Sequence, residues 1–318
     1  MHLLAAPDKF RGTLTAREAA AAIAAGAASA GWTATELPLA DGGEGTLDVL
    51  GGGNRRTTVT GPLGHPVEAE WRLEEDGTAL VEAALACGLT LAGGPEGNDP
   101  LAATSRGVGE LVVAAIAEGA ERVVVAVGGV ASTDGGVGAV ETLPTPLPIP
   151  LDIACDVEAR LLDAAEVFAP QKGATPEQVL ILRERLAELD LPDIPGSGAA
   201  GGLAGGLAAI GGRLLPGFDL VAELVGFDEH LARAGLVVTG EGRIDATSFS
   251  GKVVGRVLER AAKTGIEALV VAGDAAPESP TGALSLVERY GPERAFAEPA
   301  KCLAELVANA LATRRNGP

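Results

Sequence analysis

Residues 236–252, LVVTGEGRIDATSFSGK, carry the densest set of side chains able to do chemistry. Glu241, Arg243 and Asp245 follow an apolar, β-branched run at 236–239, which has the character of a strand buried on both faces of a parallel sheet. The strand is expected to end at Gly240. Gly240 and Gly242 then make a permissive turn at the edge where open α/β sheets bind ligands. Ser250 is a fitting N-cap, and Gly251 and Lys252 open a helix to about residue 262, so that backbone N–H groups and an ammonium meet one anion. A phosphate is the natural guest.

The arrangement recurs along the chain. Asp8, Lys9 and Arg11 follow a short strand at residues 3–6, and Asp41 and Glu44 stand in ADGGEG after a strand at 35–39. Those last two carboxylates can hold the waters of Mg²⁺ or accept a hydroxyl proton. GGVASTDGG, beginning at Gly128 and Gly129, follows a strand at 122–127. Asp134, the only charge in that loop, is either an ion ligand or an Asx-turn residue. Lys172 precedes a helix capped by Thr175, where it is solvated or binds a phosphate or carboxylate. The chain has only five lysines, and three of them, Lys9, Lys172 and Lys252, sit in such glycine-bearing turns, so their placement carries weight.

The elements that must position these residues read as βα units. Thr15 caps an Ala-rich helix to about residue 30, and another helix starts at Thr46. Residues 57–60, 67–73 and 78–82 form short alternating runs, the β-rich start of a second domain. Further on, Ser105 caps a helix over 108–118, residues 153–155 make a short strand, and the Thr175 helix runs to about 189. A strand at 268–272 and a helix at 300–314 close the chain. Four prolines within 143–150 make an extended connector. GSGAAG at 196–201 matches the dinucleotide pattern G-x-G-x-x-G, but Pro192 and Pro195 spoil any strand before it, so it reads as a tightly packed helix start. A phosphate-binding Walker loop is absent, since Ala246 and Val253 stand where its first glycine and its hydroxyl residue belong.

At 318 residues the chain is long for one core, and two domains or one with an insertion are expected. Aromatic residues are only 3% against 47% hydrophobic, so Ala, Val, Leu and Ile must build the interior. A net charge of -19 argues against a nucleic-acid partner. Cys87, Cys155 and Cys302 lie far apart, which speaks against zinc sites and disulfides and fits a reducing cytoplasm. The first apolar run is too short for a signal peptide or membrane span, so no membrane partner is expected. The three histidines lack metal-like spacing, and no G-x-S-x-G supports hydrolase chemistry.

Eight ordered blocks resemble the bacterial glycerate kinase family over almost the whole chain: APDKFRGTLTA, LPLADGGEGT, GPLGHPVEA, GGVASTDGGVG, ACDV, FAPQKGAT, GSGAAGGLAGG and VVTGEGRID with SGK following. The resemblance implies an α/β fold of two α/β domains. One is a discontinuous parallel-sheet, Rossmann/flavodoxin-like domain at 1–58 and 232–318, and the other a mixed α/β domain inserted at 59–231. It implies transfer of the ATP γ-phosphoryl group to a hydroxyl of glycerate, with 2-phosphoglycerate favoured over 3-phosphoglycerate, ATP and Mg²⁺ as cofactors, and a cytoplasmic protein for which a homodimer is allowed. Asp41, Lys9, Arg11 and Asp245 are then the catalytic candidates. Gly240, Glu241, Gly242, Ser250, Gly251, Lys252, Gly128, Gly129 and Lys172 are candidates for the nucleotide, and Asp134 and Glu241 for Mg²⁺. Which carboxylate is base and which holds metal stays open. Departures at Val130, Thr133, Thr247, Ser248 and the stretch after Val157 keep an altered or inactive paralogue as the alternative, and a dinucleotide oxidoreductase as a further one.

Overall fold

The strands, in chain order, are β1 (His2–Ala5), β2 (Thr33–Glu36), β3 (Arg55–Thr60), β4 (Pro66–Leu73), β5 (Thr78–Glu82), β6 (Arg122–Ala126), β7 (Leu151–Ala154), β8 (Arg213–Leu215), β9 (Leu236–Ile244), β10 (Glu267–Ala275) and β11 (Leu284–Ser285). The computed structural model describes residues 1–10, 12–249, 251–276 and 282–315, and divides into two compact units: Met1–Asp41 with Phe218–Pro318, and Gly42–Gly217.

The first unit is built on a five-stranded sheet in the order β2-β1-β9-β10-β11, with every pair parallel. Counted within the unit this is the flavodoxin-like order 2-1-3-4-5. Leu3 pairs with Leu236, so the strands at the two ends of the chain are neighbours, as expected for consecutive right-handed crossovers. Both faces of the sheet are covered, which is why its strands are almost continuously apolar. Leu3, Ala5, Leu236, Val238 and Val271 pack with Phe10, Ile23, Leu303 and Val307 on one face. Leu4, Val237, Leu39, Phe218, Phe227, Val253 and Val257 pack together on the other.

The helix Ala16–Ser29 starts where the sequence expects, with a reciprocal capping box between Thr15 and Glu18. It crosses the helix Pro299–Arg315 so closely that a Cβ at Gly26 would stand 2.4 Å from the Ala304 carbonyl oxygen.

The second unit holds a six-stranded mixed sheet in the order β3-β4-β5-β6-β7-β8, antiparallel through β5 and parallel beyond it. Its core includes Trp71, Val81, Leu111, Val123, Val125, Ile153 and Leu203. The divisions fall at 41/42 and 217/218 instead of 58/59 and 231/232, for packing reasons. β3 belongs to the mixed sheet through its ladder with β4, while Phe218, Phe227 and Leu231 fill the core beneath the parallel sheet. No helix among the described residues is long and apolar enough to cross a membrane.

Candidate active site

In the flavodoxin-like order the crossovers leave the sheet in opposite senses on either side of β1 and β9, and ligands bind at the carboxyl ends of the strands there. The chain leaving β1 keeps to this edge: Asp8 N donates to the Gly240 carbonyl at 2.9 Å, and Gly242 N donates to the Lys9 carbonyl at 3.3 Å. The expected turn at Gly240 and Gly242 is not one. β9 continues to Ile244 beside β10, with Gly240 opposite Val271 and Glu241 opposite Ala272. A Cβ at Gly240 would come 2.0 Å from the Val271 carbonyl oxygen, so close strand approach explains that glycine.

Asp8 is the residue that sequence reasoning passed over as a catalytic candidate. It is only 8% exposed, and its Oδ1 accepts a hydrogen bond from Lys9 N at 2.7 Å. Burial first, then the Asp41 charge and that of Glu241, push its carboxyl up to about 7; the Lys9 N–H and ammonium oppose this. Burial likewise raises Glu241, against the Ser248 hydroxyl and the Lys252 ammonium, with Asp245 and Asp41 adding to the rise. Glu241 Oε1 is buried with no hydrogen-bond partner among the described residues. Ser248 also fastens the next turn, accepting from Asp245 N at 3.1 Å. Asp8, Lys9, Asp41, Glu241, Asp245 and Lys252 therefore act on one another electrostatically within the first unit, although they are spread over most of the sequence.

The helix expected from Ser250 begins instead at Val253 and runs to Thr264. Lys252 is its N-cap residue with no side-chain cap bond, preceded by the exposed Gly251 at φ 80°. Arg11 and Ser250 lie outside the described residues.

In the second unit the two glycine-rich loops pack on each other. A Cβ at Gly128 would stand 2.6 Å from Gly43 Cα, and one at Gly129 would stand 2.6 Å from Glu44 Cγ. Asp134 is engaged as a loop fastener: Oδ2 accepts from Ser105 N and Oγ, both at 2.8 Å, and from Gly138 N at 3.3 Å, while Oδ1 accepts from Gly136 N at 3.1 Å. A carboxylate so committed to N–H and O–H donors does not suit the Mg²⁺ role expected of it, and the Asx-turn alternative accounts for it. Lys172 points inward, 4% exposed, with its ammonium on the Ser132 carbonyl at 2.5 Å. The Gly196–Gly201 segment has no strand before it: β7 ends at Ala154, and 199–202 is a short 3₁₀ turn leading into the helix Leu203–Ala209. The geometry a dinucleotide oxidoreductase needs is missing there.

The profile of the glycerate kinase family matches residues 3–148 and 144–313. The chain belongs to the glycerate kinase family. It is 34% identical to the glycerate 2-kinase of Escherichia coli K12 over 93% of this chain and 90% of that one, and 36% identical to the glycerate kinase of Bacillus subtilis 168 over 88% and 86%. An uncharacterised protein of Mycobacterium tuberculosis is 42% identical over 100% and 93%. A provisionally named glycerate kinase 2 from Salmonella typhimurium LT2, solved by crystallography, superposes with a TM-score of 0.83 at 31% identity, covering 99% of this chain and 98% of that one.

As a glycerate kinase family member the protein is an ATP-dependent kinase, and its departures from the family pattern can be placed. Val130 is buried in the core of the second unit and Thr133 is 2% exposed, so both changes alter packing beneath the loop and not its outer face. Ser248 is buried and bonds Glu241, keeping a hydroxyl inside the charged cluster.

Proposed function

We propose that this kinase transfers the γ-phosphoryl group of ATP to the 2-hydroxyl of glycerate, giving 2-phosphoglycerate. The reading is carried by the cluster at the switch point of the parallel sheet, where Lys9, Asp41 and Glu241 act on the proton affinity of Asp8, and Lys252 and Asp41 on that of Glu241. Phosphoryl transfer needs positioning and charge neutralisation more than covalent help. Lys9 and Lys252 supply positive charge to the phosphates, with Arg11 assigned beside them on sequence.

Asp8 accepts the hydroxyl proton as the new O–P bond forms and the bond to the β-phosphate oxygen breaks. A carboxylate titrating near neutrality is matched to that task. Asp41 is the charge that keeps Asp8 proton-hungry, and Asp245 shapes the turn that presents Ser248 to Glu241. The orphaned Glu241 Oε1 is a hard oxygen donor suited to Mg²⁺ or its waters. When bound, Mg²⁺ neutralises ATP charge. Gly251 and the start of the Val253–Thr264 helix offer backbone N–H groups to the anionic groups of the nucleotide. The three dispersed cysteines support a cytoplasmic setting.

The test is ADP release from Mg-ATP over a panel of hydroxy acids, with the product passed to enolase, which consumes 2-phosphoglycerate and not the 3-isomer. Glycerate-dependent ADP release with no enolase signal would move transfer to the 3-hydroxyl. No release with glycerate would return the chain to the altered-paralogue reading.

A further inference from the structure

Strand β9 begins Leu-Val-Val-Thr, and the threonine is its one side chain that burial alone does not explain. Thr239 is 0% exposed, and its Oγ1 has no hydrogen-bond partner among the described residues. Valine has nearly the same shape without the hydroxyl, so a buried and unpartnered threonine is a standing cost to the fold.

A second orphan lies two residues on, at Glu241 Oε1. Strand residues alternate between faces, so 239 and 241 share one, with Cα atoms about 6.5 Å apart. β9 keeps a single register against β10, from Leu236 opposite Glu267 to Ile244 opposite Ala275, so no bulge turns either side chain away. Their face is the one under the helix Val253–Thr264. Val237 packs there with Ala6, Val253 and Val257. Val270 and Ala272, opposite Thr239 and Glu241 on β10, pack with Val254. The two unmet oxygens thus stand together in an apolar setting at the carboxyl end of β9, below the first turn of that helix.

Their chemistry selects a guest. An ionised carboxylate only accepts hydrogen bonds, so a single guest that meets both atoms must donate to Oε1. A phosphate oxygen has nothing to donate. Mg²⁺ keeps several of its waters when bound, and one such water has two O–H donors, enough to bridge two acceptors at this spacing.

We propose that Thr239 is a positioning residue for the metal, its hydroxyl accepting, together with Glu241 Oε1, the hydrogen bonds of a water carried by Mg²⁺. This rests on the reading of Glu241 as the partner of Mg²⁺ or its waters. Outer partners of this kind commonly govern metal affinity about tenfold or more.

The experiment compares wild type, Thr239→Val, Thr239→Ser and Glu241→Gln in three measurements: the thermal melt of the ligand-free protein, calorimetric binding of ADP in metal-free buffer, and titration of Mn²⁺ into the protein–ADP complex read by water-proton relaxation. For Thr239→Val we expect a melting midpoint unchanged or raised by up to about 4 °C, because an unmet hydroxyl is gone. Its metal-free ADP affinity stays within about threefold of wild type, while its Mn²⁺ affinity falls about tenfold or more. Thr239→Ser, which keeps the hydroxyl, holds Mn²⁺ within about threefold of wild type.

A Thr239→Val protein that melts lower than wild type or does not fold would make the hydroxyl structural and overturn the proposal. So would a tenfold loss of ADP affinity without metal, which would make Thr239 a phosphate ligand, or a Thr239→Ser protein as weak for Mn²⁺ as Thr239→Val. Wild-type Mn²⁺ affinity in Glu241→Gln refutes the Glu241 reading and this proposal together. Weakened Mn²⁺ binding in Glu241→Gln beside an unaffected Thr239→Val refutes this proposal alone.

Discussion

Replacing Asp8 by Asn should make the protein more stable and less active, and the two effects should separate with pH. Asp8 has its ordinary carboxyl value of 3.8 in the unfolded chain and about 7 in the folded one. Because the folded value is raised, the native state binds the proton more tightly. The stability this contributes is fully present below pH 3.8 and is lost as pH rises through 7. At about 1.4 kcal/mol per tenfold in proton affinity, the gap sets a ceiling of about 4 kcal/mol on what ionised Asp8 costs the fold at pH 8. Asn removes the charge in nearly the same volume and loses part of the bond from Lys9 N, which offsets on the order of 1–2 kcal/mol. Urea unfolding at pH 8 should therefore show Asp8→Asn more stable than wild type by about 2 kcal/mol. At pH 4 the difference should vanish or reverse. Turnover at pH 8 should drop about a hundredfold or more if Asp8 takes the hydroxyl proton. A variant less stable than wild type at pH 8 would refute the electrostatic argument, and one retaining its turnover would refute the base assignment.

Three further substitutions probe other parts of the account. Lys252→Ala should lower turnover about a hundredfold, or about 3 kcal/mol of transition-state stabilisation, while moving the unfolding free energy by about 0.5 kcal/mol; kinetics beside a thermal melt compare the two. Asp134→Ala leaves the N–H groups of Ser105, Gly136 and Gly138 without their acceptor, and should cost about 3 kcal/mol in urea unfolding at any Mg²⁺ concentration. Gly240→Ala drives a Cβ into the Val271 carbonyl and should destabilise the first unit by about 3 kcal/mol or more, with a lowered melting midpoint as the readout.

Where local patterns decide structure, the sequence is a good guide. The runs at 3–6, 78–82 and 236–239 became strands because their apolar residues serve both faces of a sheet, and Thr15 and Thr175 cap their helices through reciprocal side-chain bonds that can be read from spacing. What stayed hidden depends on distant partners. Gly-Glu-Gly-Arg reads locally as a turn, yet β10 lies alongside and draws it into the ladder through Ile244. A lysine in a glycine-bearing turn gives no sign of its direction, and Lys172 faces inward because Ser132, forty residues away, offers its carbonyl there. Asp8 is tied to β9 through the Gly240 carbonyl and its carboxyl is raised by the Asp41 charge, and neither partner is near it in sequence. The ends of the inserted unit were misplaced because β3 and Phe218 show their allegiance only through the partners they pack on.

The central claim is that the charged cluster at the β1–β9 edge phosphorylates glycerate. Its most direct test is ADP release from Mg-ATP by wild type and Asp8→Asn at pH 8, with glycerate, lactate and glycolate as acceptors and enolase as the reporter of product. The account predicts release with glycerate by wild type, an enolase-competent product, and a loss of about a hundredfold or more in a variant at least as stable as wild type. Equal turnover by the two proteins, or release that does not depend on glycerate, would contradict it.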